Sequence, residues 1–229
     1  SHASAVTAAL RAYFRYRGTC GDSVNALLGA IASPVRWSQA SLPRALTTEE
    51  VQRLEAHCAQ TKRAPLRLLA MVRLALDLGL RVGEIAKLEI SDFDWRAGTV
   101  TLKRTKSQRQ DILPLPTVTG HALSEYMRHE RPATTLPSLF VRRLAPHDKP
   151  IGVDAVSQAI GRALRGAGIS RGCHSLRHTL ACRLVNSGSS IKEVADVLRH
   201  RSLDTSLIYA KLDLQLLAEV ALPWPGSAS

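Results

Sequence analysis

The chain has 229 residues, and 31 Lys and Arg against 19 Asp and Glu leave a net charge of +12. Apolar residues at 45%, with only 14 Gly and 11 Pro, suit one or two domains with a real core and exclude disordered and collagen-like chains. The longest stretches free of Asp, Glu, Lys and Arg are 23–35 and 112–124, too short and too broken to span a bilayer. Four cysteines without a CxxC pair point to a reducing, cytoplasmic setting. Of the basic residues 24 are Arg, whose planar fork suits phosphate oxygens, so nucleic acid is the leading partner and no membrane is implied.

In chain order, an amphipathic run over Ser4–Tyr16 and an apolar run over Val24–Ile31 precede Pro34. Thr47 with Glu50 three residues on predicts a capping box that opens a helix through about Gln60. Pro65 suits a first helical turn, and Leu66 to Leu78 predict a buried helix stopped by Gly79. A short helix over Val82–Leu88 and turn chemistry at Ser91–Asp94 follow. Thr99–Leu102 and Asp111–Leu113 then predict a β-hairpin around a polar loop. Helices over Thr117–Arg131 and Asp154–Arg165 flank a strand-like Leu139–Val141. Ser175–Ser187, Ile191–Leu198 and Leu203 to about Val220 predict three closing helices. The fold class is α+β, mostly α-helical, with a small antiparallel sheet.

Several residues carry chemical potential. Arg81 places a cation at the positive end of a helix, a conflict that a bound phosphate would resolve. Lys103, Arg104, Lys106 and Arg109 crowd the hairpin tip, where a lysine on a mobile finger can act as proton donor as well as charge. His174 and Arg177 share a face at the start of a helix, with His178 on the same side. His174, His178 and Cys182 also have metal-ligand spacing, but they lack the intervening glutamate of a hydrolytic site, and Arg177 sets a cation beside it, so no metal is assigned. Ile191–Ser202 resembles a helix-turn-helix, with Arg199 at the position where a turn often wants Gly. A nucleophilic Tyr209 would need basic neighbours, since a phenol is mostly protonated at neutral pH.

In order, the chain carries Gly79-Leu-Arg81-Val-Gly-Glu84, a Lys-bearing hairpin, His174-Ser-Leu-Arg177-His178-Thr179, Leu198-Arg-His200-Arg-Ser202 and Thr205-Ser-Leu-Ile-Tyr209. This ordered set resembles the tyrosine recombinase, or phage integrase, family over about Leu42–Leu214. The resemblance implies a catalytic domain that cleaves and rejoins double-stranded DNA without metal, ATP or other cofactor. Tyr209 would be the nucleophile, and Arg81 and Arg177 the clamp on the nonbridging oxygens. His174 and His200 would complete the phosphate cradle and help move the tyrosine proton. Lys106, by its distance to Pro114, would protonate the leaving 5′-oxygen, with Lys103 as fallback. Glu84 and His178 would support these residues from behind, and Arg104, Arg109, Arg199 and Arg201 would lie near DNA along with Lys103. Two departures from the pattern stand out: Arg199 replaces the glycine that precedes this histidine, and Ser175 replaces the acid after His174.

The resemblance further implies a remnant of a core-binding domain plus linker over 1–40, a catalytic domain over 41–229, and a homotetramer on DNA with C-terminal segments such as Leu212–Leu222 exchanged. The expected function is site-specific recombination, integration or transposition through a 3′-phosphotyrosyl intermediate. Two alternatives stay open: a noncatalytic helix-turn-helix DNA-binding protein, and DNA relaxation of the type IB topoisomerase kind.

Overall fold

The computed structural model describes residues 2–31, 45–103, 110–143, 149–199 and 209, divided between two compact units, Ser1–Ser41 and Leu42–Ser229. In the first, α1 (His2–Thr19) is followed by α2 (Asn25–Ala30). Gly21 at φ +98 turns the chain between them, and the Arg11 guanidinium donates to Ile31 O at 2.9 Å. α1 runs three residues beyond the amphipathic stretch read from the sequence, and Arg17 near its end pairs with Asp22 across the turn.

The second unit is built around α4 (Pro65–Asp77). Leu68, Ala70, Met71, Val72, Leu74, Ala75 and Leu76 are all buried, so this helix is apolar nearly all round, as a central helix must be. It packs against α3 (Thr48–Gln60), α6 (Thr117–His129), α7 (Val153–Gly166) and α8 (His174–Asn186). The capping box predicted for α3 forms: Thr47 Oγ1 accepts from Glu50 N at 3.2 Å, and Thr47 N–H donates to Glu50 Oε2 at 2.9 Å. The α4 N-terminus is satisfied from a distance, with Leu66 N–H donating to Glu130 Oε2 at 2.7 Å.

A three-stranded antiparallel sheet, ordered β1 (Phe93–Asp94), β2 (Thr99–Leu102), β3 (Asp111–Pro114), lies beside this core. The β2–β3 hairpin is the one expected, with Val100 opposite Leu113 and Leu102 opposite Asp111. Val100 and Leu102 point into the core while Ile112 is exposed, as strand alternation requires. The first strand corrects the sequence reading, in which Ser91–Asp94 was a turn. A 3₁₀ turn over Ile90–Asp92 leads directly into β1, whose Phe93 pairs with Val100. Leu139–Val141 is likewise not a full strand; bridges Glu89–Ser138 and Val141–Pro150 hold its flanks.

Two contacts fix α8, which carries His174, Arg177 and His178. Thr179 Oγ1, 1% exposed, accepts from Leu46 N–H and donates to Ser175 O, both at 2.8 Å. Arg171, just before α8, reaches Glu50 at 2.9 Å. α9 (Ile191–Val197) follows, opened by a second capping box between Ser190 and Glu193. The helix expected over Leu203–Val220 lies outside the described residues, apart from Tyr209.

Candidate active site

The site begins where α4 ends. Gly79 has φ +61, and a Cβ there would meet Leu180 and Leu198 side-chain atoms at 3.0 Å, so both the backbone and the packing demand glycine. Leu80 N–H reaches back to Leu74 O at 3.2 Å, and the reversed chain presents Arg81 as the N-cap of α5 (Val82–Ile85). The conflict between Arg81 and the helix dipole is resolved within the chain. Glu84 at the third helical position accepts from Arg81 N–H through Oε2 and from Arg81 Nη1 through Oε1, each at 2.8 Å. This is one arm of a capping box, since an arginine side chain has no acceptor to complete the other. The Arg81 side chain remains 39% exposed, which leaves donors for a ligand.

Arg177, on the first turns of α8, is 7% exposed. Its two terminal nitrogens donate to Gly79 O and Leu198 O, so one guanidinium joins the end of α4 to the end of α9. Burial, and then the charges of Arg81 and Arg199, push Arg177 down to about 9, with Glu84 and Tyr209 acting the other way. Burial pushes the Glu84 carboxyl up, but Arg199, the Arg81 N–H and the Arg81 guanidinium outweigh it and hold the group below its ordinary value. The site is thus several cations around one carboxylate, in surroundings dry enough for each charge to feel the others.

Tyr209, 2% exposed, packs in a cluster with Ala181, Cys182, Val185, Val194 and Leu198. Its hydroxyl lies 2.6 Å from His178 Nδ1. Burial and the neighbouring Cys182 push the phenol up to about 12, against the pull of Arg177. Burial, with repulsion from His174 and Arg177, holds the His178 imidazole below its ordinary value. Both groups are therefore uncharged at neutral pH, and the imidazole tautomer that leaves Nδ1 unprotonated accepts from the phenol. His174 is exposed at the head of α8, close enough to His178 to repel its charge. Ser175, at the position of the family acid, instead donates to Gly172 O at 2.8 Å and is buried.

The structure therefore brings together Arg81, Glu84, Arg177, His178, Arg199 and Tyr209, with His174 at the edge. His178 is more central than the sequence suggested; the available signal was its place directly after Arg177, but its pairing with Tyr209 spans 31 residues. Arg199, expected near DNA, has a side chain only 5% exposed that donates to Glu84 Oε2 at 2.9 Å. Lys103 is held by Asp92 at 2.7 Å and Ser91 at 3.3 Å, at the rim of a cleft it shares with Glu84, Lys87 and Glu89. Lys106, Arg104, Arg109, His200 and Arg201 lie outside the described residues. A further cavity, invisible in the spacing of the sequence, gathers Lys62, Arg63, Arg67, Arg143 and Arg162 near the start of α4. It lies a helix length, about 20 Å, from Arg81.

Residues 44–215 match the family described as the phage integrase family. The integrase/recombinase y4rA of Sinorhizobium fredii is 37% identical over 99% of this chain and 56% of its own length. The tyrosine recombinase XerA of Thermococcus kodakarensis is 30% identical over 93% of the chain and 71% of its own. Among solved structures, the XerH site-specific recombinase bound to a palindromic difH substrate, a post-cleavage complex, is 25% identical with a TM-score of 0.69, covering 86% of this chain and 57% of that one. The chain spans about half the length of two Sinorhizobium relatives it matches, 56% of y4rA and 54% of y4rF. Among the described residues no helix is long and apolar enough to cross a membrane.

Proposed function

Since the chain belongs to the phage integrase family, the tyrosine recombinases, we propose that it cleaves and rejoins double-stranded DNA at specific sites with Tyr209 as nucleophile. The observation that carries this reading is the Tyr209 hydroxyl on a neutral His178, one residue from an arginine whose guanidinium is locked between two backbone carbonyls. The phenol oxygen attacks phosphorus in line, the bond to the 5′-oxygen breaks, and a 3′-phosphotyrosyl bond remains. His178 takes the phenol proton, and Lys106 gives one to the departing oxygen. Arg81 and Arg177 hold the nonbridging oxygens, with His174 and His200 completing the cradle, and fixed cations of this kind stabilise charge as it develops. The phosphotyrosyl bond conserves the phosphodiester's energy, so a second 5′-hydroxyl can reverse the step on another strand without a nucleotide.

On this reading residues 1–40 belong to a core-binding domain and 41–229 to the catalytic domain, and the protein acts as a homotetramer on cytoplasmic, nucleoid-associated DNA. The test is covalent trapping: incubation with supercoiled plasmid in EDTA, quenching with SDS, and peptide mapping of the adduct. A metal-independent adduct on Tyr209, absent in Tyr209→Phe, supports the reading. An adduct elsewhere, or cleavage that EDTA abolishes, overturns it.

A further inference from the structure

Arg199 breaks two local rules at once. It holds φ +54, a left-handed conformation that costs a side-chain-bearing residue and favours glycine. It also buries its guanidinium to 5% exposure with Nε unpartnered among the described residues, which leaves a polar group unsatisfied. Such conflicts persist where the arrangement serves a site. What the side chain does in return is specific. Nη2 donates to Glu84 Oε2 at 2.9 Å and lies 3.5 Å from Gly79 O, while Nη1 donates to Val197 O at 3.1 Å. Glu84 Oε2 is thereby shared between Arg199 and the Arg81 N–H, and Oε1 is left to the Arg81 guanidinium.

We propose that Arg199 is a positioning residue: it anchors the Glu84 carboxylate so that Glu84 holds Arg81 by one terminal nitrogen and leaves the rest of that guanidinium free for phosphate. Without Arg199, both carboxylate oxygens turn to Arg81, and the partly exposed cation is neutralised by its own neighbour. The side chain that occupies the glycine position thus acts on the substrate through Glu84, without touching it. This inference rests on the reading of the site as a phosphate cradle.

The test is a double-mutant cycle of Arg199→Gly and Glu84→Gln, read by inorganic phosphate binding to the arginine side-chain N–H signals of ¹⁵N-labelled protein. Glycine adopts φ +54 freely, so this variant keeps the backbone while losing the anchor. Arg199→Lys, which keeps the charge but not the fork, is the second variant. The expected result is a loss of about tenfold in phosphate affinity for Arg199→Gly, the scale of one charge-assisted hydrogen bond. That loss should shrink to less than about twofold when Glu84 is already Gln, because no carboxylate is left to misdirect. Arg199→Gly should also shift the Arg81 signal, and Arg199→Lys should fall between it and the native chain in affinity. An equal loss in both backgrounds would mean that Arg199 acts on phosphate directly, and no loss, or no saturable phosphate binding by the native chain, removes the idea. Covalent trapping keeps the two proposals apart. Coupling without a Tyr209 adduct sinks strand transfer and spares Arg199, and an adduct without coupling does the reverse.

Discussion

His178→Phe removes the imidazole that lies 2.6 Å from the Tyr209 hydroxyl while keeping an aromatic ring beside a side chain that is 2% exposed. Two magnitudes follow. The hydroxyl becomes a buried donor without this partner, at about 1–3 kcal/mol of stability, and strand cleavage loses a general base worth about 10²–10⁴ in rate. The pH dependence gives an independent handle, with its sign set by burial first and by His174 and Arg177 next, which together hold the imidazole below its ordinary 6.5. Between that depressed value and 6.5 the unfolded chain binds more protons than the folded one. Stability therefore rises with pH across the window and is lost as pH falls through the folded value. The same protonation turns Nδ1 from acceptor to donor, so the rate of adduct formation should fall on the acid side with a midpoint below 6.5. Initial rates of SDS-trapped adduct across the acid and neutral range measure it. A midpoint at or above 6.5, or an acid limb that survives in His178→Phe, would refute the assignment of His178 as the proton acceptor.

Thr179→Val leaves the buried Leu46 N–H without its acceptor, and the denaturant midpoint should fall by the equivalent of about 1–3 kcal/mol with an unchanged slope. Lys103→Ala leaves the Asp92 carboxylate, 7% exposed, without its ion-pair partner; it should cost about 1–3 kcal/mol and leave adduct formation intact, Lys106 being the proposed acid. Lys106→Ala should slow cleavage by about 10²–10⁴, with recovery on a substrate whose 5′-bridging oxygen is sulfur, since a thiolate leaves without a proton. Arg177→Lys keeps the charge but cannot span Gly79 O and Leu198 O together, so adduct formation should drop at least about tenfold while phosphate-independent folding, followed by circular dichroism, persists.

What the sequence reveals divides along a physical line. Elements whose cause is local are legible in it: the Thr47–Glu50 box, the apolar α4 closed by Gly79, the alternating hairpin strands, and the starts of α7 and α8. Arg81, Arg177 and Tyr209 are legible because each sits in a short motif, and their order along the chain limits the choice. Elements whose cause is a distant partner are not. A two-residue strand such as β1 has too little length to show a period, and only its pairing with Val100 makes it a strand. Leu139–Val141 has strand composition but meets single bridges rather than a ladder. Arg199 follows a helix in a basic stretch and reads as a surface cation; what turns it inward is Glu84, 115 positions earlier.

The resting arrangement of the cations explains how such a pocket can exist before any phosphate arrives. Three guanidiniums around one carboxylate leave a net surplus of positive charge, and burying that surplus unpaired would be costly. The chain meets the cost with backbone carbonyls at two element ends. Gly79 O, after α4, faces Arg177, with Arg199 just within range, while Leu198 O and Val197 O, at the end of α9, take one each. The C-terminal end of a helix is its negative pole, so these oxygens favour cations beyond their single hydrogen bonds. They hold the arginines in place without neutralising them, whereas Glu84 neutralises about one charge and is itself divided between Arg81 and Arg199. On the proposed reading, a site so built keeps its cations oriented and charged at the point where a transferring phosphoryl group would gather negative charge. It therefore needs little reorganisation during the reaction, which is the condition under which fixed charges accelerate it most.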